Sequence, residues 1–308
     1  MKHLISTRQL NKESTLEILQ KAKSLKTDLE CSGYLKGKVV ANLFYESSTR
    51  TRSSFEIAAK KLGADVINID PKHSALSKGE SLEDTAKTLA NLGTNLVVIR
   101  HSSSGAALEL ANSLKDTDVS VINAGDGMNE HPTQALLDLF SIHQVYDLIV
   151  DKKILILGDC LHSRVARSNI YLLKSFGAKI TLVGPPTLVP LDFASMGVEI
   201  EHNLHKMFDG TKQIDLIMVL RLQKERQTQG LIPSLSEYRK YYELNEELIK
   251  KIDPELKHIK VLHPGPVNRG VEISDFLVDQ KDISLIHQQV SNGLYVRMSV
   301  LLKLLGNK

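Results

Sequence analysis

Tryptophan is absent from the 308 residues, and aromatic side chains of every kind make up only 5%. Proteins that stack nucleobases interleave aromatic with basic residues. No such stretch and no long basic tail occurs here, so no nucleic acid is expected as a partner. Neither sign of charge dominates: 39 Lys and Arg against 36 Asp and Glu leave a formal net charge of +3. That balance still allows a small anionic substrate to be held by a few local arginines. Cys31 and Cys160 are the only cysteines, too few for a disulfide framework or a sulfur-rich metal site, and a reduced compartment follows. The 11 histidines form no His-Glu-x-x-His, so neither a metal nor any other cofactor is expected. No apolar run approaches the roughly 20 residues of a membrane span. The opening Met1-Lys2-His3-Leu4-Ile5-Ser6 runs into charged helical sequence rather than an apolar signal core, and the expectation is a cytoplasmic protein without a membrane partner. Walker sequence, serine nucleophile elbow and complete dinucleotide fingerprint are all missing.

What is present is an alternation of strands and helices. Apolar runs predict strands at 39–44, 66–69, 96–99 and 119–122, and a second series at 154–157, 180–183, 214–220 and 259–262. Helical spacing predicts helices over 13–30 with Ser14 near the start, and over 55–62, 80–92, 106–114, 132–142, 165–176, 234–252 and 283–304, with a shorter one at 193–196. This rhythm defines an α/β fold, with two Rossmann-like domains of mostly parallel central sheets and flanking helices. The domains are expected at residues 1–146, completed by a C-terminal helix 286–308, and at residues 147–285.

The chain is organised around Phe44-Tyr45-Glu46-Ser47-Ser48-Thr49-Arg50-Thr51-Arg52-Ser53-Ser54-Phe55-Glu56. A buried strand precedes it and a helix follows, so its hydroxyls and free backbone N–H groups gather where the helix dipole favours an anion. Arg50, inside the turn, is the better candidate to face the ligand. Two further polar clusters fall after strands of the same series: Arg100-His101, and Gly125-Asp126-Gly127 with His131-Pro132-Thr133-Gln134. Parallel sheets place ligands at the carboxyl ends of their strands, which makes three clusters at one edge a stronger signal than any alone. A neutral His131 at a helix start can donate to a carbonyl oxygen, and Gln134 in the first turn can hold a nitrogen-bearing group. In the second series Arg164 opens a helix, against the dipole, as an anion site would require. Arg221 and Gln223 share a direction in extended backbone and suit a carboxylate. Arg164, Arg167 and Arg221 also read as solvated or loop-holding side chains, and the prolines of His263-Pro264-Gly265-Pro266 as a fixed loop.

Taken in order, Ser48-Thr49-Arg50-Thr51-Arg52, Gly125-Asp126-Gly127 with His131-Pro132-Thr133-Gln134, His162-Ser163-Arg164, Arg221-Leu222-Gln223-Lys224-Glu225-Arg226 and His263-Pro264-Gly265-Pro266 resemble the aspartate/ornithine carbamoyltransferase family over essentially the whole chain. The match is closer to its aspartate branch. Ser195-Met196-Gly197, reminiscent of the ornithine branch, comes too early, and the His-Cys-Leu-Pro segment of that branch is missing. The resemblance implies transfer of a carbamoyl group from carbamoyl phosphate to L-aspartate, the committed step of de novo pyrimidine biosynthesis. By the same resemblance Ser48, Thr49, Arg50 and Thr51 hold the phosphate, Arg100 bridges phosphate and carbonyl oxygen, and His131 with Thr51 polarises that carbonyl. Gln134 meets the amino group, helped by backbone at Pro264 and Gly265. Arg164 takes the α-carboxylate of aspartate, and Arg221 and Gln223 its side-chain carboxylate. Ser74 and Lys78 match a loop that enters a neighbouring subunit's active site, which implies a catalytic homotrimer, with regulatory chains or dihydroorotase as possible further partners. Two departures stand out: Glu130 directly before His131, and Gly265 where some members carry leucine.

Overall fold

The computed structural model describes residues 1–28, 30–69, 79–223, 231 and 234–306. They divide into two compact units, Met1–Phe140 with Val290–Lys308, and Ser141–Gln289.

The first unit is built on β1 (Val39–Phe44), β2 (Asp65–Ile69), β3 (Leu96–His101) and β4 (Ser120–Asp126), all parallel, in the spatial order β2-β1-β3-β4. β1 and β4 are buried along nearly their whole length, as strands covered on both faces must be. α1 (Lys12–Leu25) precedes the strands, α2 (Thr49–Lys61), α3 (Leu82–Asn91) and α4 (Ala106–Ser113) connect them, and α5 (Pro132–His143) follows. Ala41, Leu43, Val97, Ile99 and Val121 of the sheet pack with Ala86, Leu89 and Leu110 of α3 and α4. Each fully buried Val, Leu or Ile side chain in such a cluster contributes about 1.5–3 kcal/mol.

The second unit carries β5 (Lys153–Leu157), β6 (Lys179–Val183), β7 (Glu199–Glu201), β8 (Leu216–Val219) and β9 (Lys260–Leu262), parallel in the order β7-β6-β5-β8-β9. Its helices are α6 (Arg164–Ser175), α7 (Leu235–Tyr242), α8 (Glu246–Lys250) and α9 (Asp275–Asp279). The last helix, α10 (Ile286–Leu305), straddles the division. Its C-terminal part is tied into the first unit, where Ser299 Oγ donates to the Ile18 carbonyl at 2.8 Å and Asn292 Oδ1 accepts from Lys26 Nζ at 2.7 Å. No described helix is long and apolar enough to cross a membrane.

Local chemistry accounts for the departures from the expected elements. α1 starts earlier than Ser14 because Asn11 is its cap, its side chain accepting from Ser14 N at 2.8 Å. The helix expected over 234–252 is two. Glu243 turns extended, Leu244 N donates to the Glu272 carbonyl, and Asn245 caps a fresh helix by accepting from Leu248 N. Strand β7 escaped notice because Glu199-Ile200-Glu201 is short and two of its three residues are charged. β3 runs on to His101, so Arg100 sits within the strand rather than after it.

Candidate active site

Topology fixes where a ligand goes. In the order β2-β1-β3-β4 the sheet reverses direction of growth between β1 and β3, and ligands bind at such a switch point beyond the carboxyl ends of the strands. Register brings the ends level: Phe44 lies opposite Arg100, and His101 opposite Asp126. The next peptides stay pinned, with Tyr45 N donating to the Arg100 carbonyl and Gly127 N to the His101 carbonyl, both at 2.9 Å. The turn containing Ser48, Arg100, and the loop leading to His131 therefore leave one edge of one sheet.

At the β1 exit, Ser48 is the N-cap of α2, yet its hydroxyl makes no capping bond. Ser6, Asn11, Ser81, Ser163, Ser234 and Asn245, at comparable helix starts, all accept one. The first-turn N–H groups of α2 are thus not spent on their cap, and no acidic residue stands in that turn. Thr49 and Arg50 are exposed there, and Thr51 is 7% exposed. Hydroxyls, a guanidinium and the positive end of a helix dipole collect at one point, the composition of an anion site. Arg100, on the far side of the switch point, is held by Glu46, its Nε 3.2 Å from Oε2.

The third cluster is rigid. Asp126 Oδ1 accepts from Asn123 Nδ2 and Glu130 N, and Oδ2 from Gly105 N and Asn129 Nδ2, at 2.7–3.1 Å. His131, 3% exposed, then starts α5, its carbonyl accepting from Gln134 N at 2.9 Å. Glu130 is fully buried and so does not turn to solvent. Its carboxylate accepts from Ser6 Oγ, and from Thr7 N and Thr7 Oγ1 at 2.8 and 2.5 Å. It anchors the amino-terminal segment to the His131 loop, a role that the tripeptide Asn129-Glu130-His131 by itself does not reveal.

The second unit repeats the device. β5 is central, the switch point lies between β5 and β8, and the loops holding Arg164 and Arg221 flank it. Asp159 joins them: Oδ1 accepts from His162 N and faces His162 Nδ1 at 2.8 Å, while Oδ2 accepts from Gln223 N at 3.2 Å. Arg164 is 5% exposed at the first position of α6, whose cap is Ser163. Arg167, one turn on, donates to the Leu161 carbonyl at 2.9 Å and lies over the Phe193 ring, so it braces the loop. Leu222 is buried with Leu188 and Tyr238, while Arg221 and Gln223 on either side stay partly exposed, the alternation of extended backbone. After β9, His263 Nδ1 accepts from Gly265 N at 2.8 Å and Nε2 faces Glu272 at 3.2 Å. Gly265 has φ +63°, the left-handed region that glycine enters without cost, and Pro264 beside it is half-buried. Ser74 and Lys78 lie outside the described residues, as do Lys224, Glu225 and Arg226. Among the described residues no cluster of acids, histidines or cysteines is arranged to hold a metal ion.

Each unit thus gathers arginines with hydroxyl or amide side chains at the switch point of its own parallel sheet. Residues 2–144 match the aspartate/ornithine carbamoyltransferase carbamoyl-P binding domain, and residues 150–304 the Asp/Orn binding domain of the same family. The chain belongs to the aspartate/ornithine carbamoyltransferase family. It is 46% identical over 309 residues to the aspartate carbamoyltransferase catalytic subunit of Carboxydothermus hydrogenoformans, covering 99% of this chain and 96% of that one. Aspartate transcarbamoylase from Trypanosoma cruzi, in complex with carbamoyl phosphate and aspartate, superposes with a TM-score of 0.85 at 29% identity, over 99% of this chain and 97% of that one. The catalytic subunit of M. jannaschii aspartate transcarbamoylase gives 0.83 at 36% identity, covering 99% and 98%.

Proposed function

We propose that the chain transfers the carbamoyl group of carbamoyl phosphate to L-aspartate, giving N-carbamoyl-L-aspartate and phosphate, as the committed cytoplasmic step of pyrimidine biosynthesis. The observation that carries this reading is the helix start at Ser48, uncapped by its own side chain and furnished with Thr49, Arg50 and Thr51 beside Arg100. The relatives' names and ligands support it.

The chemistry follows from the charges. The unprotonated amine of aspartate attacks the carbonyl carbon and forms the new C–N bond. Negative charge grows on the carbonyl oxygen, toward which Arg100, Thr51 and His131 donate. The C–O bond to phosphate then breaks, its electron pair leaving with the phosphate, held by Ser48, Thr49, Arg50 and Thr51. The ammonium proton passes to that departing phosphate, so no protein nucleophile or obligatory protein base is required. Fixed donors aimed at developing charge supply most of the acceleration. Gln134 receives the amino group of the donor. In the second unit Arg164 takes the α-carboxylate, and Arg221 with Gln223 the side-chain carboxylate. Guanidinium groups at that position repel the ammonium of ornithine, which supplies discrimination as well as affinity.

Product analysis with each amino acid tests this directly. Aspartate is expected to yield N-carbamoyl-L-aspartate and phosphate in equal amounts, and ornithine to yield product at least about 100-fold more slowly. A preference for ornithine overturns the assignment. We further propose a catalytic homotrimer in which Ser74 and Lys78 serve a neighbour's site. Mixing the inactive variants Lys78→Ala and Arg50→Ala under conditions of subunit exchange is then expected to restore activity. Demonstrated exchange without recovery rejects the shared site.

A further inference from the structure

One turn after Gln134, α5 carries an acid that the reaction does not use. Asp138 is fully buried, and spacing of four residues places it on the same helix face. Gln134 Nε2 donates to Asp138 Oδ1 at 2.9 Å. A carboxylate can only accept, so the NH2 end of this amide is committed to the interior. That leaves Oε1 as the end available to a ligand.

An uncompensated carboxylate at such depth is costly. Arg297 of α10, itself 5% exposed, has its guanidinium 5.2 Å from the Phe55 ring centroid and donates from Nη1 to Ser54 Oγ at 2.8 Å. Burial pulls the Arg297 guanidinium down to about 10 while the charge of Asp138 acts to raise it, so it remains a cation at neutral pH. Ser54 and Phe55 belong to α2, whose first turn is the proposed phosphate site. Arg297 is thus bonded to that helix, and Asp138 to the amide of Gln134.

We propose that Asp138 is a positioning residue for donor selection. By holding the Gln134 amide in one of its two flips, it makes the site read the transferred group as an N–H donor and disfavours donors of the same shape that lack it. A site built to accept a substrate N–H leaves an acceptor unpaired when the analogue cannot donate, and this is the strong form of discrimination. The inference rests on the assignment of Gln134 to the amino group of the donor.

The probe is acetyl phosphate, which carries a methyl group where carbamoyl phosphate has NH2. Carbamoyl phosphate KM and the inhibition constant of acetyl phosphate are measured for each variant. Asn at position 138 offers both a donor and an acceptor, so Asp138→Asn releases the flip. It is expected to raise the carbamoyl phosphate KM about tenfold, the scale of one lost hydrogen bond, and to leave acetyl phosphate inhibition within about twofold. Gln134→Ala is expected to lower the preference similarly, and Asp138→Asn to add nothing in that background. Equal weakening of both ligands means a merely structural Asp138 and overturns the proposal. Loss of preference in Gln134→Ala but not in Asp138→Asn overturns it while leaving the Gln134 assignment intact. An unchanged preference in Gln134→Ala removes the assignment itself. Should Asp138→Asn fail to fold, Asp138→Asn with Arg297→Met removes both buried charges together, and retention of the preference in that variant rejects the proposal.

Discussion

Arg50→Ala is expected to lower kcat about 1,000-fold, equivalent to about 4 kcal/mol of lost transition-state stabilisation. The side chain is exposed in the first turn of α2, where alanine is a better helix former and removes a charge that opposes the dipole. Thermal unfolding should therefore stay within a few degrees of the parent protein. A group whose removal leaves the fold sound and abolishes turnover belongs to the reaction rather than to the scaffold. The division between parameters is informative. Phosphate gains charge as the C–O bond breaks, so an arginine aimed at the leaving group acts more strongly late in the reaction than in the bound donor. The kcat should fall further than the KM for carbamoyl phosphate rises. A rise in KM alone would mean equal contact with ground and transition states, and a kcat within tenfold of the parent would remove Arg50 from the machinery. Arg50→Lys should recover only part of the loss, because an ammonium cannot present the planar fork of a guanidinium to two phosphate oxygens.

The sheet edge was legible because two independent signals coincide there. Apolar runs such as Val39–Phe44 mark strands buried on both faces, and the polar residues that follow each run fall by topology on a common edge. Arg50, Arg100 and His131 needed only that rule to be brought to one sheet edge. The spatial strand order was not readable, since the alternation of elements is the same whichever way a sheet grows. The switch points that flank Arg50 and Arg100, and Arg164 and Arg221, emerge only from pairing. Residues that act through others were the hardest to see. Asp159 and Glu130 are each a buried acid in a loop, and nothing in residue type separates them from solvated acids, whereas Asp138 is a lone acid between Leu136-Leu137 and Leu139-Phe140. Asp138 did leave a trace: it stands four residues after Gln134, the spacing at which helix neighbours meet. Asn245 was similarly visible as a cap residue, yet the apolar period running across it suggested an unbroken helix.

Arg221→Ala is expected to reduce kcat/KM for aspartate about 300-fold while leaving the dissociation constant of carbamoyl phosphate within about threefold. Arginine facing a carboxylate in a site poor in water forms charge-assisted hydrogen bonds, and deleting it typically costs about 3 kcal/mol, which matches that factor. The separation of effects follows from the fold: Arg221 lies beyond β8 of the second unit, whereas the phosphate-directed groups lie beyond β1 and at the carboxyl end of β3 in the first. Stability should change little, because the buried member of that segment is Leu222, packed with Leu188 and Tyr238, and the substitution does not touch it. The identity of the second substrate provides the sharpest check. If Arg221 selects the side-chain carboxylate, Arg221→Ala should lose most of its preference for aspartate over asparagine, which has the same shape without the charge. A uniform loss with both amino acids would place Arg221 in general support of the loop. An equal weakening of carbamoyl phosphate would break the assignment of the two half-sites to two different substrates.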